Sequence, residues 1–261
     1  MDFNQALRVL LYQLADDDLL VGHRASEWIG LVPHLEADVA YASIAQDELS
    51  HAFELYQLAA DGHQDRANLL AYARPAPERR NATLVELSNG PGSYLEEPHF
   101  DWVFTVVRHW IYDTYKSCRL ERLIDSQYRP LADLSRKLID EEQYHLEHHR
   151  IWLSTLLTSP VSAQRTRTVL RRVLSLSDDL VFMSSWQAAW SAWGLLPHAD
   201  SLASDWRTRI QTFLDPWEIS LNQDTTLAPT LNGRLGQHTA ALEEALQTMN
   251  VVSGGTVHAS W

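Results

Sequence analysis

The sequence predicts an all-α fold: a four-helix bundle built from two duplicated helical hairpins, with further helices following it. Three observations carry this. No alternation of apolar and polar residues persists long enough for a strand. Four helix-length segments each carry an apolar stripe stepping alternately by three and four residues. Glu-x-x-His recurs on the second and fourth of these stripes, as Glu48 with His51 and Glu142 with His145.

The first helix is expected over residues 3–29, with the stripe Leu7, Leu11, Leu14, Asp18, Val21, Ala25, Trp28. It carries one carboxylate in its apolar seam. GLVPH (residues 30–34) breaks it, and the second helix follows over 36–60, with the stripe Tyr41, Ile44, Glu48, His51, Leu55, Leu58. A link this short makes the two helices antiparallel neighbours, and folding about Pro33 sets residue 48 level with residue 18.

Residues 61–98 hold four prolines and the segment LSNGPGSY, which reads as a long crossover with a short helix at 64–72. The third helix is expected over 99–126, with the stripe Trp102, Val106, His109, Asp113, Lys116, Leu120, Ile124. YRP (128–130) turns the chain into the fourth helix, 131–157, whose stripe is Leu131, Leu134, Leu138, Glu142, His145, His149, Trp152, Leu156. Folding near Tyr128 sets residue 142 level with 114, one from Asp113. The two Glu-x-x-His pairs repeat at an offset of 94 residues and the two seam aspartates at 95, the signature of an internal duplication.

Beyond Thr158, residues 161–175 and 177–193 read as one broken helix or two, ending in Trp186, Trp190 and Trp193 before Gly194 and Pro197 stop it. A helix over 200–214, the proline-punctuated DPWEISLNQDTTLAPTLNG, a last helix over 237–250 and a Gly-Gly tail to Trp261 complete the chain. No stretch is rich enough in Gly, Ser or Pro to separate an independent domain, so residues 1–261 are expected to form one.

Composition sets outer limits. The formal net charge of −13 argues against a nucleic-acid surface, and no run of eighteen apolar residues exists to span a membrane. The opening MDFNQALRVLLYQL lacks the basic start of a secretory signal, and a single cysteine, Cys118, leaves no internal disulfide; both fit a reducing cytoplasm. Ten tryptophans suggest a large packed or partner-facing aromatic surface.

A carboxylate costs several kcal/mol to bury alone, so Asp18, Glu48, Asp113 and Glu142 on apolar seams require a compensating partner. Two facing Glu-x-x-His turns with an outer carboxylate each are the ligand plan of a di-iron or di-manganese centre. The expected set is Asp18, Glu48, His51, Asp113, Glu142 and His145, converging on one cavity with the aspartates at its ends. Mixed carboxylate and imidazole ligation suits iron, though zinc would accept the same donors. Alternatives stay open. Lys116 lies on the stripe of Asp113 and could replace a cation; Glu141, at i, i+4 to His145, could take the place of Glu142. His148 and His149 read as surface and seam residues, and Glu27, over two turns beyond Asp18, as a helix-end or partner contact. A third Glu-x-x-His, Glu96 with His99, sits beside Pro98 and reads as chance.

Several stretches resemble one family: LADDDLLVGHRASEWIG (14–30), ASIAQDELSHA (42–52), YHLEHHRIWL (144–153), GRLGQHTAALEEALQTM (233–249) and the terminal Trp261. Together they are similar to the ferritin-like phenylacetyl-CoA epoxidase family, most of all its C-type structural subunit. The pattern Gly233, Gly236, His238, Thr239 is distinctive of that type. The resemblance implies a ferritin-like bundle, a role in aerobic phenylacetate catabolism, and pairing with a catalytic A-type subunit whose di-iron centre epoxidises the aromatic ring with O2. A homo-oligomer is expected when the chain is alone. The structural subunit is expected to have lost most ligands, whereas all six stand here. The competing expectation is therefore a stand-alone di-iron oxygenase acting on another substrate.

Overall fold

A computed structural model describes residues 2–93, 96–182, 185–221 and 231–251. The helices run in the order α1 (Phe3–Ser26), α2 (Leu35–Ala59), α3 (Gln64–Asn68), α4 (Thr83–Glu86), α5 (Trp102–Leu123), α6 (Arg129–Thr158), α7 (Ala163–Ser175), α8 (Asp178–Val181), α9 (Gln187–Ala192), α10 (Leu202–Leu214) and α11 (Ala240–Asn250). Among the described residues the only β pairing is an isolated bridge between Ser93 and Glu96, so the fold is all-α, as the periodicity predicts. The Gly-Gly tail to Trp261, and residues 222–230 of the proline-punctuated segment, lie outside the described residues.

Helix ends fall inside the expected ranges where a local stop acts first. The α1 ladder tightens after Ser26 into short-range bonds (Trp28 N to Ala25 O, 3.1 Å; Ile29 N to Ser26 O, 3.2 Å), and Gly30 then takes a left-handed φ of +84°. Asp101 caps α5 by accepting from the Phe104 amide at 3.2 Å, so that helix starts at Trp102 rather than 99. Pro130 in the first turn of α6 lets that helix begin two residues earlier than expected, at Arg129.

The chain divides into two compact units, one of Arg8–Ser88 with Leu231–Trp261 and the other of Met1–Leu7 with Asn89–Thr230. In the first, α1 and α2 form the hairpin and approach most closely at Gly22, where an added Cβ would stand 3.0 Å from both Glu48 Cβ and Leu49 Cγ. The crossover runs through α3, one π-helical turn (Leu69–Ala73) and α4, and it is tied to α1 by buried acids.

Asp16, Asp17 and Asp18 are consecutive and all buried. At 100° per residue they leave α1 in three directions. Asp16 accepts from Tyr56 Oη (2.5 Å), the Arg80 amide (2.9 Å) and the Arg74 guanidinium. Burial works to raise the Asp16 pKa, but the Arg74 and Arg79 charges, with hydrogen bonds from Arg74 and Tyr56, hold it below the usual carboxylate value. Asp17 takes a two-armed grip from Arg234 (2.8 Å on each oxygen) and a bond from the Ala82 amide at 2.8 Å. Asp18 turns toward α2.

In the second unit, α6, α7 and α10 pack against α5. Every α5 residue from Val103 to Leu120 is buried, which a helix requires only when it is surrounded on all sides. Its polar residues are therefore held by specific partners, as where Arg108 donates to Asn89 Oδ1 at 2.6 Å. Of the two uses that ten tryptophans suggest, packed or partner-facing, the structure shows packing: every described one is buried or half-buried. Trp190 Nε1 donates to the Ala6 carbonyl (2.9 Å), Trp206 Nε1 to the Ile111 carbonyl (3.2 Å), and Trp110 lies 4.8 Å from Phe213 between ring centroids. The indoles fill the cores because their apolar area is large, and those of Trp190 and Trp206 also place their N–H on a carbonyl there.

Candidate metal centre

In the first unit, the hairpin brings Asp18 of α1 together with Glu48 and His51 of α2. All three are buried, and one ligand atom from each lies within 4.8 Å of the others. Three causes place them there: the short link that sets residue 18 level with 48, the single turn between Glu48 and His51, and the missing side chain at Gly22. His51 Nδ1 stands 4.0 Å from Glu48 Oε2, adjacent without a direct hydrogen bond. Two carboxylates and an imidazole, all buried, form a donor set that iron or zinc accepts, so these residues fit a metal ion.

The second unit uses its share of the expected set differently. Glu142 and His145 are both sealed from solvent one turn apart on α6, with His145 Nδ1 at 3.8 Å from Glu142 Oε2. Lys116 of α5 is equally buried and sets its ammonium 3.2 Å from the same Glu142 oxygen. A cation carried by the chain thus already stands against Glu142.

Asp113 pairs two turns further along α6. His149 Nδ1 donates to Asp113 Oδ2 at 2.6 Å, and the His149 ring stacks on His109 with centroids 4.9 Å apart and planes 21° from parallel. His109, Asp113 and His149 form a second group of metal-type donors with atoms within 4.8 Å of one another. His149 is the seam residue the spacing indicates, but periodicity gave no sign that it would hold Asp113. His148 is half-buried beside it; burial, then the His149 and His145 charges, push its pKa down to about 3.

The remaining sequence candidates resolve simply. Glu27 takes the Arg24 guanidinium at 2.7 Å, a contact at the end of α1. Glu141 is only half-buried on α6. A polar centre that spacing did not reveal is Glu86, buried on α4. It accepts from Asn81 Nδ2 (2.8 Å), the Thr239 amide (2.5 Å) and His238 Nδ1 (2.7 Å). Those contacts show what Gly233, Gly236, His238 and Thr239 do: they dock the segment before α11 on the crossover. The Asn81 carbonyl occupies the space where a Gly233 side chain would lie, and the Pro77 carbonyl stands 2.5 Å from a Cβ placed on Gly236.

Two comparisons bear on this arrangement. A family model described as phenylacetic acid catabolic protein matches residues 2–261. The chain is also 29% identical over 242 residues to the C-type subunit of the 1,2-phenylacetyl-CoA epoxidase of Escherichia coli (strain K12), covering 91% of this chain and 92% of that protein.

Proposed function

The chain belongs to the phenylacetic acid catabolic protein family, and from that premise we propose that it is the C-type, structural subunit of a multicomponent phenylacetyl-CoA epoxidase. Its partner is a catalytic A-type subunit that holds the di-iron chemistry, and its setting is cytoplasmic phenylacetate catabolism. Support comes from the full-length family match and from a relative that is itself one subunit of such an epoxidase. The family match runs unbroken through residues of both compact units, which supports one functional domain with a ferritin-like plan. No described helix is long and apolar enough to cross a membrane. When alone, the chain forms a homo-oligomer.

One observation favours this reading over a stand-alone oxygenase: Lys116 already supplies a positive charge to Glu142 at 3.2 Å, inside the sealed core of α5 and α6. A buried carboxylate matched by a buried ammonium needs no cation from outside. The metal-binding capacity then resides with Asp18, Glu48 and His51, whose donor types suit iron. Iron bound there would supply Lewis-acid and redox chemistry. The protein's own part is to keep that pocket dry, to hold the two carboxylates adjacent across the α1–α2 hairpin, and to balance Asp113 and Glu142 internally through His149 and Lys116.

The test is metal analysis of protein expressed in iron-replete medium, alongside Glu48→Ala, His51→Ala and Glu142→Ala. We expect no more than one iron per chain, lost in the first two variants and retained in the third. We also expect stable copurification with an A-type subunit and no epoxidation by the chain alone. Two irons per chain together with O2-dependent turnover by the isolated chain would establish the oxygenase instead.

A further inference from the structure

The turn joining α1 to α2 leaves apolar side chains in water. Leu35 is 76% exposed, Val39 65%, Ile29 42% and Leu31 40%. Single exposed aliphatics are ordinary on a protein surface, but four within eleven residues are a patch. They are held as one surface. Gly30, between Ile29 and Leu31, donates its amide to Asp38 Oδ1 at 2.7 Å, beside Val39, and the Leu31 amide closes back on the Trp28 carbonyl at 2.8 Å. Leu35 and Val39 are one turn apart on α2. Nine residues separate Val39 from Glu48, which at 100° per residue puts it on the side of the helix opposite the candidate metal ligands.

The charge around the patch selects its occupant. Between Arg24 and Arg66 there is no lysine or arginine, while Glu27, Glu36 and Asp38 flank or fall within the stretch that forms the patch. A second copy of this chain docking by the same face would bring acid against acid, an arrangement that disfavours pairing. An apolar surface framed by lysine or arginine would bury the aliphatics and match the rim.

We propose that the tip of the α1–α2 hairpin, formed by Ile29, Leu31, Leu35 and Val39, is a docking surface for a different polypeptide that presents an apolar patch within a basic rim. This rests on the reading of the chain as one subunit of a multisubunit epoxidase, with the A-type subunit as the occupant. The interface is apolar at its centre and electrostatic at its edge, so both salt and local charge control its strength.

The experiment titrates the full-length chain with purified A-type subunit by calorimetry at low and high salt. It compares wild type, Leu35→Ser/Val39→Ser, Glu36→Lys and an exposed control on α6, Ile151→Ser. All four positions are exposed, so the variants should fold, and circular dichroism and melting curves confirm this. The expected result is a Kd raised at least tenfold by the double substitution and several-fold by Glu36→Lys. It should be unchanged by Ile151→Ser, and wild-type affinity should fall with salt. Wild-type binding that survives Leu35→Ser/Val39→Ser overturns the docking surface and leaves the subunit reading intact. Absence of wild-type binding overturns both. A homodimer of the chain alone that dissociates on the double substitution assigns the face to self-association and overturns the proposal.

Discussion

The Lys116 ammonium stands 3.2 Å from Glu142 Oε2, with neither side chain reached by solvent. In so dry a setting each charge depends on the other, and removing one partner is far worse than removing both. Lys116→Met should therefore lower unfolding free energy by about 3–5 kcal/mol, while Lys116→Met/Glu142→Gln recovers most of the loss. Urea unfolding of the three variants measures it. Added zinc or iron(II) should restore part of the stability of Lys116→Met and none of that of the double variant, because only the former keeps a carboxylate beside His145 to receive the ion. Equal stability of wild type and Lys116→Met would show that the pair contributes nothing.

Gly22 controls the approach of the first hairpin's helices. Alanine is the better helix former by about 1 kcal/mol, so an exposed Gly→Ala change in α1 would stabilise the protein. Here the new methyl meets Glu48 Cβ and Leu49 Cγ at 3.0 Å, and overpacking of this kind costs about 1–3 kcal/mol. Gly22→Ala is expected to be neutral to destabilising in thermal unfolding and to weaken metal retention, because the shift falls on the helix bearing Glu48 and His51. A variant that is both more stable and equally loaded with metal would refute the close-packing argument.

His23 gives a pH dependence of definite sign. Burial, then the Arg24 charge, push its pKa down to about 4. Glu27 Oε1 lies 3.6 Å away but is already engaged by Arg24 at 2.7 Å, so it does little to hold a proton on His23. The folded protein keeps His23 neutral while the unfolded chain takes up a proton below about pH 6.5. Its contribution is complete above that pH and declines as pH falls toward about 4, because acid favours the unfolded state. Relative to His23→Gln, the wild type should lose about 2 kcal/mol between pH 7.5 and 5, read from urea unfolding at each pH. A difference that stays constant across this range would exclude a buried neutral His23.

The half-site of Asp18, Glu48 and His51 was legible because two periodicities fix it. The helical step sets which face a residue occupies, and a five-residue link sets which residues lie level. The same arithmetic put Lys116, Asp113, Glu142 and His145 on seams in the other unit but could not say which neighbours would pair. Asp113 goes to His149 because an imidazole N–H within reach is a strong donor, a choice made by side-chain geometry rather than by stripe position. The division of Asp16, Asp17 and Asp18 among three partners was equally hidden, since Arg74 and Arg234 come from distant parts of the chain. The tryptophans left a choice between packed and partner-facing area, because composition counts aromatic area without saying which side of the surface it lies on.

The C-terminal docking of the first unit can be broken at one atom. Gly233 does not have a left-handed backbone, so its lack of a side chain serves space rather than conformation: the Asn81 carbonyl oxygen fills the place of a Cβ. Backbone cannot swing aside as a side-chain tip can, so Gly233→Ala must push the turn away from the crossover. Arg234, the next residue, would then lose its grip on Asp17, and His238 its bond to Glu86, leaving buried carboxylates short of donors. The expected loss is about 1–3 kcal/mol from overpacking alone, with more where Asp17 is left without its guanidinium. Hydrogen exchange distinguishes this from general weakening, because α11, whose Leu242, Ala245 and Leu246 are buried, should lose protection first. Arg234→Met/Asp17→Asn, which removes the charge pair while sparing the glycine, should keep α11 protected. Faster exchange in α11 for Gly233→Ala but not for that double variant would identify backbone contact as the latch, and unchanged exchange in both would reject it.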